Sequence, residues 1–187
     1  MQQITPQDRR QFEKTLIAGV VNGNKESMNE IYKTYAPALN GFVRLFLADS
    51  NDVADIIHDT MLEVWRKADR FEGRSSLKTW IFSIAKNKSI DRNRKYTRIH
   101  YTDETTDIED EALNAADVLA VSQEAKTVRE AIAQLKPDHR RAIHLSFFED
   151  LTYREIAEIE GCPEGTIKTR ILYAKRSLQH ILQSLKK

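Results

Sequence analysis

Apolar residues recur along this chain at helical spacing. Val53, Ile56, Ile57, Met61, Val64, Trp65 and Ala68 fall at i, i+3, i+4, i+8, i+11, i+12 and i+15. That is one stripe on an amphipathic helix of about 18 residues. Asn51 is placed to cap it, and Gly73 lies past its end. Upstream, Met28, Ile31, Tyr32, Tyr35, Leu39, Phe42, Val43 and Phe46 keep the same period, with Pro37 expected to bend or break the helix. Downstream, Leu77, Trp80, Ile81, Ile84 and Ala85 make a third stripe behind a cap at Ser76. No clean apolar/polar alternation suggests a strand. The first 20 residues are assigned no element. The expected fold class is all-α.

The period is lost after residue 100. Tyr101 to Asn114 is polar and acidic and predicts a flexible linker, because it cannot bury enough apolar area to order itself. Helical pattern returns with Val121, Ala125, Val128, Ile132 and Leu135, is interrupted at Pro137, and restarts with Ala142, Ile143 and Phe147. Three segments result: an N-terminal helical domain over 1–98, an acidic linker over 99–121 and a second helical domain over 122–187.

The second domain carries a motif. Thr152-Tyr-Arg-Glu155 is a capping box that starts a short helix with Ile156, Ala157 and Ile159 on its apolar side. Gly161 supplies the left-handed turn, and Pro163 sits where the next helix begins. That helix has a buried stripe of Ile167, Ile171, Ala174, Leu178 and Leu182. The other side shows Thr166, Lys168, Thr169, Arg170 and Tyr173. A helix, a glycine turn and a basic second helix make the layout of a helix-turn-helix DNA reader, whose second helix enters the major groove. By spacing alone, a helical hairpin with a solvated cationic face would look the same.

Charge is informative through its distribution. The net formal charge is +1, but residues 1–100 hold 17 Lys/Arg against 12 Asp/Glu, residues 101–127 hold one against eight, and residues 128–187 hold 11 against eight. An acidic bridge joins two mildly basic blocks. Six basic residues (Lys86, Lys88, Arg92, Arg94, Lys95 and Arg98) follow closely on Phe71, Trp80 and Phe82. Cations beside aromatics suit single-stranded nucleic acid, whose phosphates meet the charges and whose bases stack on the rings. Trp80 and Phe82 at stripe positions could equally be core residues.

Other chemistry is thin. The five histidines form no His-Glu-x-x-His pair, and no nucleophile motif or Gly-rich phosphate loop is present, so neither an enzyme nor a metal or cofactor is expected. The single cysteine, Cys162, excludes an internal disulfide and reads as a small apolar residue sooner than a redox sensor. No run of about 18 apolar residues spans a membrane, and the start of the chain lacks a signal peptide's apolar stretch. A cytoplasmic location is expected.

The segments Asp52–Trp65 and Phe71–Asn87 resemble conserved region 2 of sigma-70 factors of the extracytoplasmic-function (ECF) group. Leu135–Arg140, Leu151–Ala157 and Glu164–Arg170 are similar to their region 4. The resemblance covers roughly residues 25–98 and 122–183, in the family's order. It implies a transcription initiation factor that carries core RNA polymerase to promoters. The helix bearing Asp52, Asp55, Ile56, His58, Asp59, Met61, Leu62 and Trp65 would grip the clamp coiled coil of the largest polymerase subunit. The second domain would meet the flap region. Phe71, Arg74, Ser75 and Ser76, with Lys78, Trp80 and Asn87, would hold the melted −10 element, and Arg92, Arg94 and Lys95 would lie near the adjoining duplex. Thr166, Lys168, Thr169, Leu172 and Tyr173 would face the −35 major groove, with Arg170 and Arg176 on its phosphates. An anti-sigma factor is a further implied partner. The linker's negative charge would imitate nucleic acid inside the polymerase, unless it is a soluble tether. Two departures stand out: His58 where the family usually has Gln, and Pro163 for a common Ser. A different class of protein, an autonomous helix-turn-helix regulator that binds duplex without polymerase, would need neither the Asp52–Trp65 face nor the 71–80 segment.

Overall fold

The computed structural model describes residues 6–100 and 123–185. The acidic segment assigned as a linker lies almost wholly outside them. Among the described residues every regular element is helical: α1 (Pro6–Val21), α2 (Lys25–Val43), α3 (Ser50–Lys67), a 3-10 turn (Ala68–Arg70), α4 (Leu77–His100), α5 (Gln123–Ala133), α6 (Pro137–Phe147), α7 (Tyr153–Glu160) and α8 (Glu164–Leu185).

The first unit comprises α1 to α4. The α3 stripe is buried as its period requires: Val53, Ile56, Ile57, Met61 and Val64 are at most 6% exposed. The cap is Asp49, not Asn51; its carboxylate accepts from the amides of Asn51 and Asp52 at 2.7 and 3.1 Å. A carboxylate satisfies free helix N–H groups and also favours the positive end of the helix dipole. Ser76 caps α4 as expected, its hydroxyl accepting from the Thr79 amide at 3.2 Å. Pro37 does not end α2, which runs through it. Lys33 and Pro37 both lie on the exposed face, so water can take the carbonyl that proline's missing N–H leaves free.

Helix α1, in the stretch to which the sequence reading assigns no element, buries Leu16, Ile17 and Val20. It also carries Glu13, whose carboxylate accepts from the Leu77 amide at 3.1 Å and from the Tyr35 hydroxyl at 3.4 Å. Its approach to α2 depends on Gly19: a Cβ there would lie 2.2 Å from Ser27 Oγ and 2.9 Å from Ser27 Cβ. Gly19→Ala is therefore expected to destabilise the fold by about 1–3 kcal/mol despite alanine's higher helix propensity. Urea unfolding checks this, and an unchanged or raised midpoint would mean α1 is free to shift.

The second unit comprises α5 to α8. Pro137 stands at the first position of α6, where it starts a helix. The capping box forms: the Thr152 hydroxyl accepts from the Glu155 amide at 3.3 Å, and the Glu155 carboxylate accepts from the Thr152 amide at 3.0 Å. Gly161 adopts φ 67°, ψ 39°, the left-handed turn that glycine enters without a Cβ clash. Ile167, Ile171 and Ala174 of α8 are buried. Two residues of this unit read as core are not, Val128 at 42% exposed and Phe147 at 55%, and Tyr32 in the α2 stripe is likewise 43% exposed. Val128 and Phe147 each follow the apolar period of a short helix whose buried arc is narrower than the sequence suggests.

The two units pack together. Helix α4 lies on α7 and α2 touches α6, and one hydrophobic cluster runs through both units. Phe42, fully buried, stands at the junction with Phe82 at 5.1 Å and His144 at 6.3 Å between ring centroids.

Candidate nucleic-acid interface

Helix α3 presents Asp55, His58, Asp59 and Leu62 to solvent, with Trp65 partly covered. Ile56 and Met61 point into the core and hold the helix in place. Asp52 is nearly buried. It pairs with the Arg92 guanidinium and accepts from the Tyr96 hydroxyl at 2.5 Å, which pins α3 to α4. The Tyr96 hydroxyl is harder to ionise for that reason, because the carboxylate holds its proton. Glu63 sits between Lys67 and Lys88, whose ammonium groups lie 2.6 and 2.8 Å away and hold its carboxyl below the usual range.

The 71–80 segment is a loop followed by the first turn of α4. Gly73 has φ 69°, which lets the loop turn sharply. Phe71 packs on Trp80 with ring centroids 5.1 Å apart, and both are partly exposed. Phe82 is fully buried against Phe42, so it offers no ring face for a base. Arg74 reaches into solvent beside Glu72. Asn87, Arg94 and Lys95 are exposed along α4. Ser75 is partly covered.

Ser76 and Lys78 are engaged by the second unit. Lys78 donates to the Glu149 carbonyl at 2.8 Å and pairs with the Glu149 carboxylate at 2.7 Å. The Ser76 and Thr79 hydroxyls donate to Glu155 at 3.1 and 3.4 Å. Farther along α4, Lys86 is 9% exposed and donates to the Ile159 and Glu160 carbonyls at 3.0 and 2.7 Å. These are the free carbonyls at the C-terminal end of α7, the negative end of its dipole. Burial lowers the pKa of Lys86, against the pull of Glu160. Neither Glu149 nor Glu13 stood out in the sequence. Lys86 was one member of a basic run, and Glu155 announced only a helix cap.

On α8, Lys168, Thr169, Leu172, Tyr173 and Arg176 are exposed, with Leu172 at 48% and Tyr173 at 51%, while Thr166 is partly covered. Lys168 pairs with Glu164 one turn earlier at 2.9 Å, which raises its pKa and keeps it charged. Arg170 turns inward. It reaches Asp138 at 3.2 Å and Glu160 at 3.3 Å, and Arg141 holds Glu160 from its other side at 3.1 Å. In this geometry Arg170 ties the helix-turn-helix together. Among the described residues, no group of three His, Cys, Asp or Glu could hold a metal ion, and no helix is long and apolar enough to cross a membrane.

Two carboxyls at the junction are expected to make it acid-sensitive. Burial would raise the Glu149 carboxyl, but His144 and Lys78 outweigh it and hold it below the usual range. Burial acts the same way on Glu155, where hydrogen bonds from Thr152, Ser76 and Thr79 prevail. A carboxyl depressed in the folded state contributes stability above its unfolded value and loses it as pH falls through the folded value. Stability should therefore fall below about pH 4. Glu149→Gln should flatten that decline. Urea midpoints at neutral and acid pH test this, and parallel declines in variant and parent would refute it.

The chain matches the family model described as Sigma-70 region 2 over residues 31–99 and the one described as Sigma-70, region 4 over residues 125–178. The ECF RNA polymerase sigma factor RpoE of Cereibacter sphaeroides is 38% identical over 154 residues, covering 81% of this chain and 84% of the relative. The RNA polymerase sigma-H factor of Pseudomonas aeruginosa is 28% identical over 183 residues, covering 92% and 95%. Among solved structures, the sigma factor RpoE of Bartonella quintana, in complex with the anti-sigma factor NepR, is similar with a TM-score of 0.71 and 30% identity. The match covers 83% of this chain and 96% of that one.

Proposed function

Because this chain belongs to the ECF group of the sigma-70 family, we propose that it binds core RNA polymerase, recognises −10 and −35 promoter elements and promotes DNA opening. The observation that carries this reading is the presence of both family regions, in order, on one chain, with a cationic second helix exposed beyond a glycine turn. The polymerase clamp takes the α3 face of Asp55, His58, Asp59, Leu62 and Trp65. Melted −10 DNA takes the 71–80 segment with Asn87 nearby, and Arg94 and Lys95 lie beside the adjoining duplex. Lys168, Thr169, Leu172 and Tyr173 read the −35 groove, and Arg176 meets phosphate.

The assignment divides the chain into 1–98 for polymerase and −10 binding, the acidic 99–121 bridge, and 122–187 for −35 binding. Each DNA contact can be individually weak, because polymerase fixes the spacing between the two and so raises the effective concentration of the second. The chain performs no covalent chemistry in this scheme and acts in the cytoplasm. An anti-sigma factor is its proposed regulator, as NepR is the partner of RpoE in the Bartonella complex.

Run-off transcription with core polymerase, with and without the protein, tests the whole. Transcripts that start at sites sharing a motif only when it is added are the expected result. Tight duplex binding without polymerase and no dependent transcript would replace the reading with an autonomous regulator.

A further inference from the structure

We infer that the first turn of α6 positions the reading face of α8, with His139 as the residue that orients Tyr173 for base recognition at the −35 element. The role of Tyr173 rests on the proposed function; the contact beneath it does not. The His139 and Tyr173 rings lie nearly parallel, with centroids 6.5 Å apart and planes 12° from each other. That is an offset stack, an arrangement aromatic pairs prefer.

His139 stands on a rigid post. Pro137 opens α6 at its first position, where its ring fixes the backbone. On one side of His139, the Asp138 carboxylate holds the Arg170 guanidinium at 3.2 Å. On the other, Arg140 is buried and donates to the Ala133 carbonyl at 3.1 Å. Arg170 lies one turn before Tyr173, so Asp138 and His139 engage successive turns of α8.

Tyr173 is 51% exposed, with Thr169 one turn before it and Arg176 one turn after. A long side chain on an exposed helix face divides its time between two χ1 wells. Stacking on His139 favours one of them. The ring then meets the groove already oriented, and binding forfeits less side-chain freedom. A fixed orientation also selects which base edge the ring and hydroxyl meet, which turns a general contact into a base preference.

The test uses polymerase holoenzyme assembled with the full chain, titrated on promoter fragments that carry each single-base change in the −35 element defined by the run-off transcripts. Tyr173→Ala should abolish discrimination at one base pair. His139→Ala should weaken binding to the parent element about 2- to 10-fold and relax discrimination at that same pair. His139→Phe, which keeps a ring for the stack, should restore both. In a Tyr173→Ala background, His139→Ala should cost nothing more. In the free chain, the ring resonances of Tyr173 should move in His139→Ala and stay ring-shifted in His139→Phe. A cost of His139→Ala that persists without Tyr173 would overturn the positioning role and make His139 a direct contact. Discrimination lost alike at every position, no rescue by phenylalanine, unaltered binding by His139→Ala, or Tyr173 resonances indifferent to His139 would also overturn it. Failure of the functional reading looks different: Tyr173→Ala and Lys168→Ala both bind as the parent does while the Tyr173 resonances still respond to His139, and the −35 role of the stack falls with that reading.

Discussion

Phe42→Ala is expected to remove about 3–5 kcal/mol of unfolding free energy. Phe42 is fully buried, and its ring meets Phe46 edge-on at 5.3 Å, Phe82 at 5.1 Å and His144 at 6.3 Å. These partners belong to α4, to α6 and to the turn that follows α2, so the cavity opens where both units meet. Truncation loses the transfer energy of the ring and also the dispersion contacts of its neighbours, which cannot all collapse inward. A loss of this size is a large part of a typical domain's stability. Urea unfolding followed by circular dichroism measures it. The shared cluster makes a further demand: both units should lose stability together. A loss under about 1 kcal/mol, well below the range for buried Phe→Ala, would show that the junction does not depend on this ring.

Trp80→Ala should slow promoter opening by about 5- to 100-fold, and Lys168→Ala should leave opening intact while weakening −35 duplex binding by a comparable factor. The first figure follows from base–aromatic stacking of about 1–3 kcal/mol per base. The second follows from a similar energy per good base contact. Trp80 is the more instructive residue. It is partly exposed, with Phe71 packed on its ring at 5.1 Å between centroids. Lys168 loses only an exposed ion pair with Glu164, which is worth little on a helix surface. Stopped-flow opening assays with polymerase, paired with duplex-binding measurements, separate the two steps. Equal damage to both steps in both variants would contradict the division of labour.

Much of this protein was legible from residue spacing. The stripe from Val53 to Ala68, the Ser76 cap, the Thr152–Glu155 capping box and the left-handed Gly161 are local features. Their physics is contained within a few residues, so the sequence alone predicts them. Resemblance added the order of the two regions, and the family matches bear it out. Local reasoning missed two features, one settled between near neighbours and one by distant partners. Asp49 displaced Asn51 as the α3 cap through a stronger acceptor. Helix α1 carries an acid, Glu13, on its buried side, and is held by burial of Leu16, Ile17 and Val20 and by Glu13 on the Leu77 amide.

The sequence by itself determined an all-α chain, two family regions, a helix-turn-helix and a charge layout suited to nucleic acid. Each depends on periods and caps that span at most a few turns. Only the tertiary structure decided which cations are available. Lys86 and Arg170 look like solvated positive charges in a list of residues. In the fold, one is buried on the carbonyl end of α7 and the other is locked between Asp138 and Glu160. Desolvation makes a buried charge depend on whatever partner packing brings to it, across separations of 73 and 32 residues here. No spacing rule along the chain carries that information.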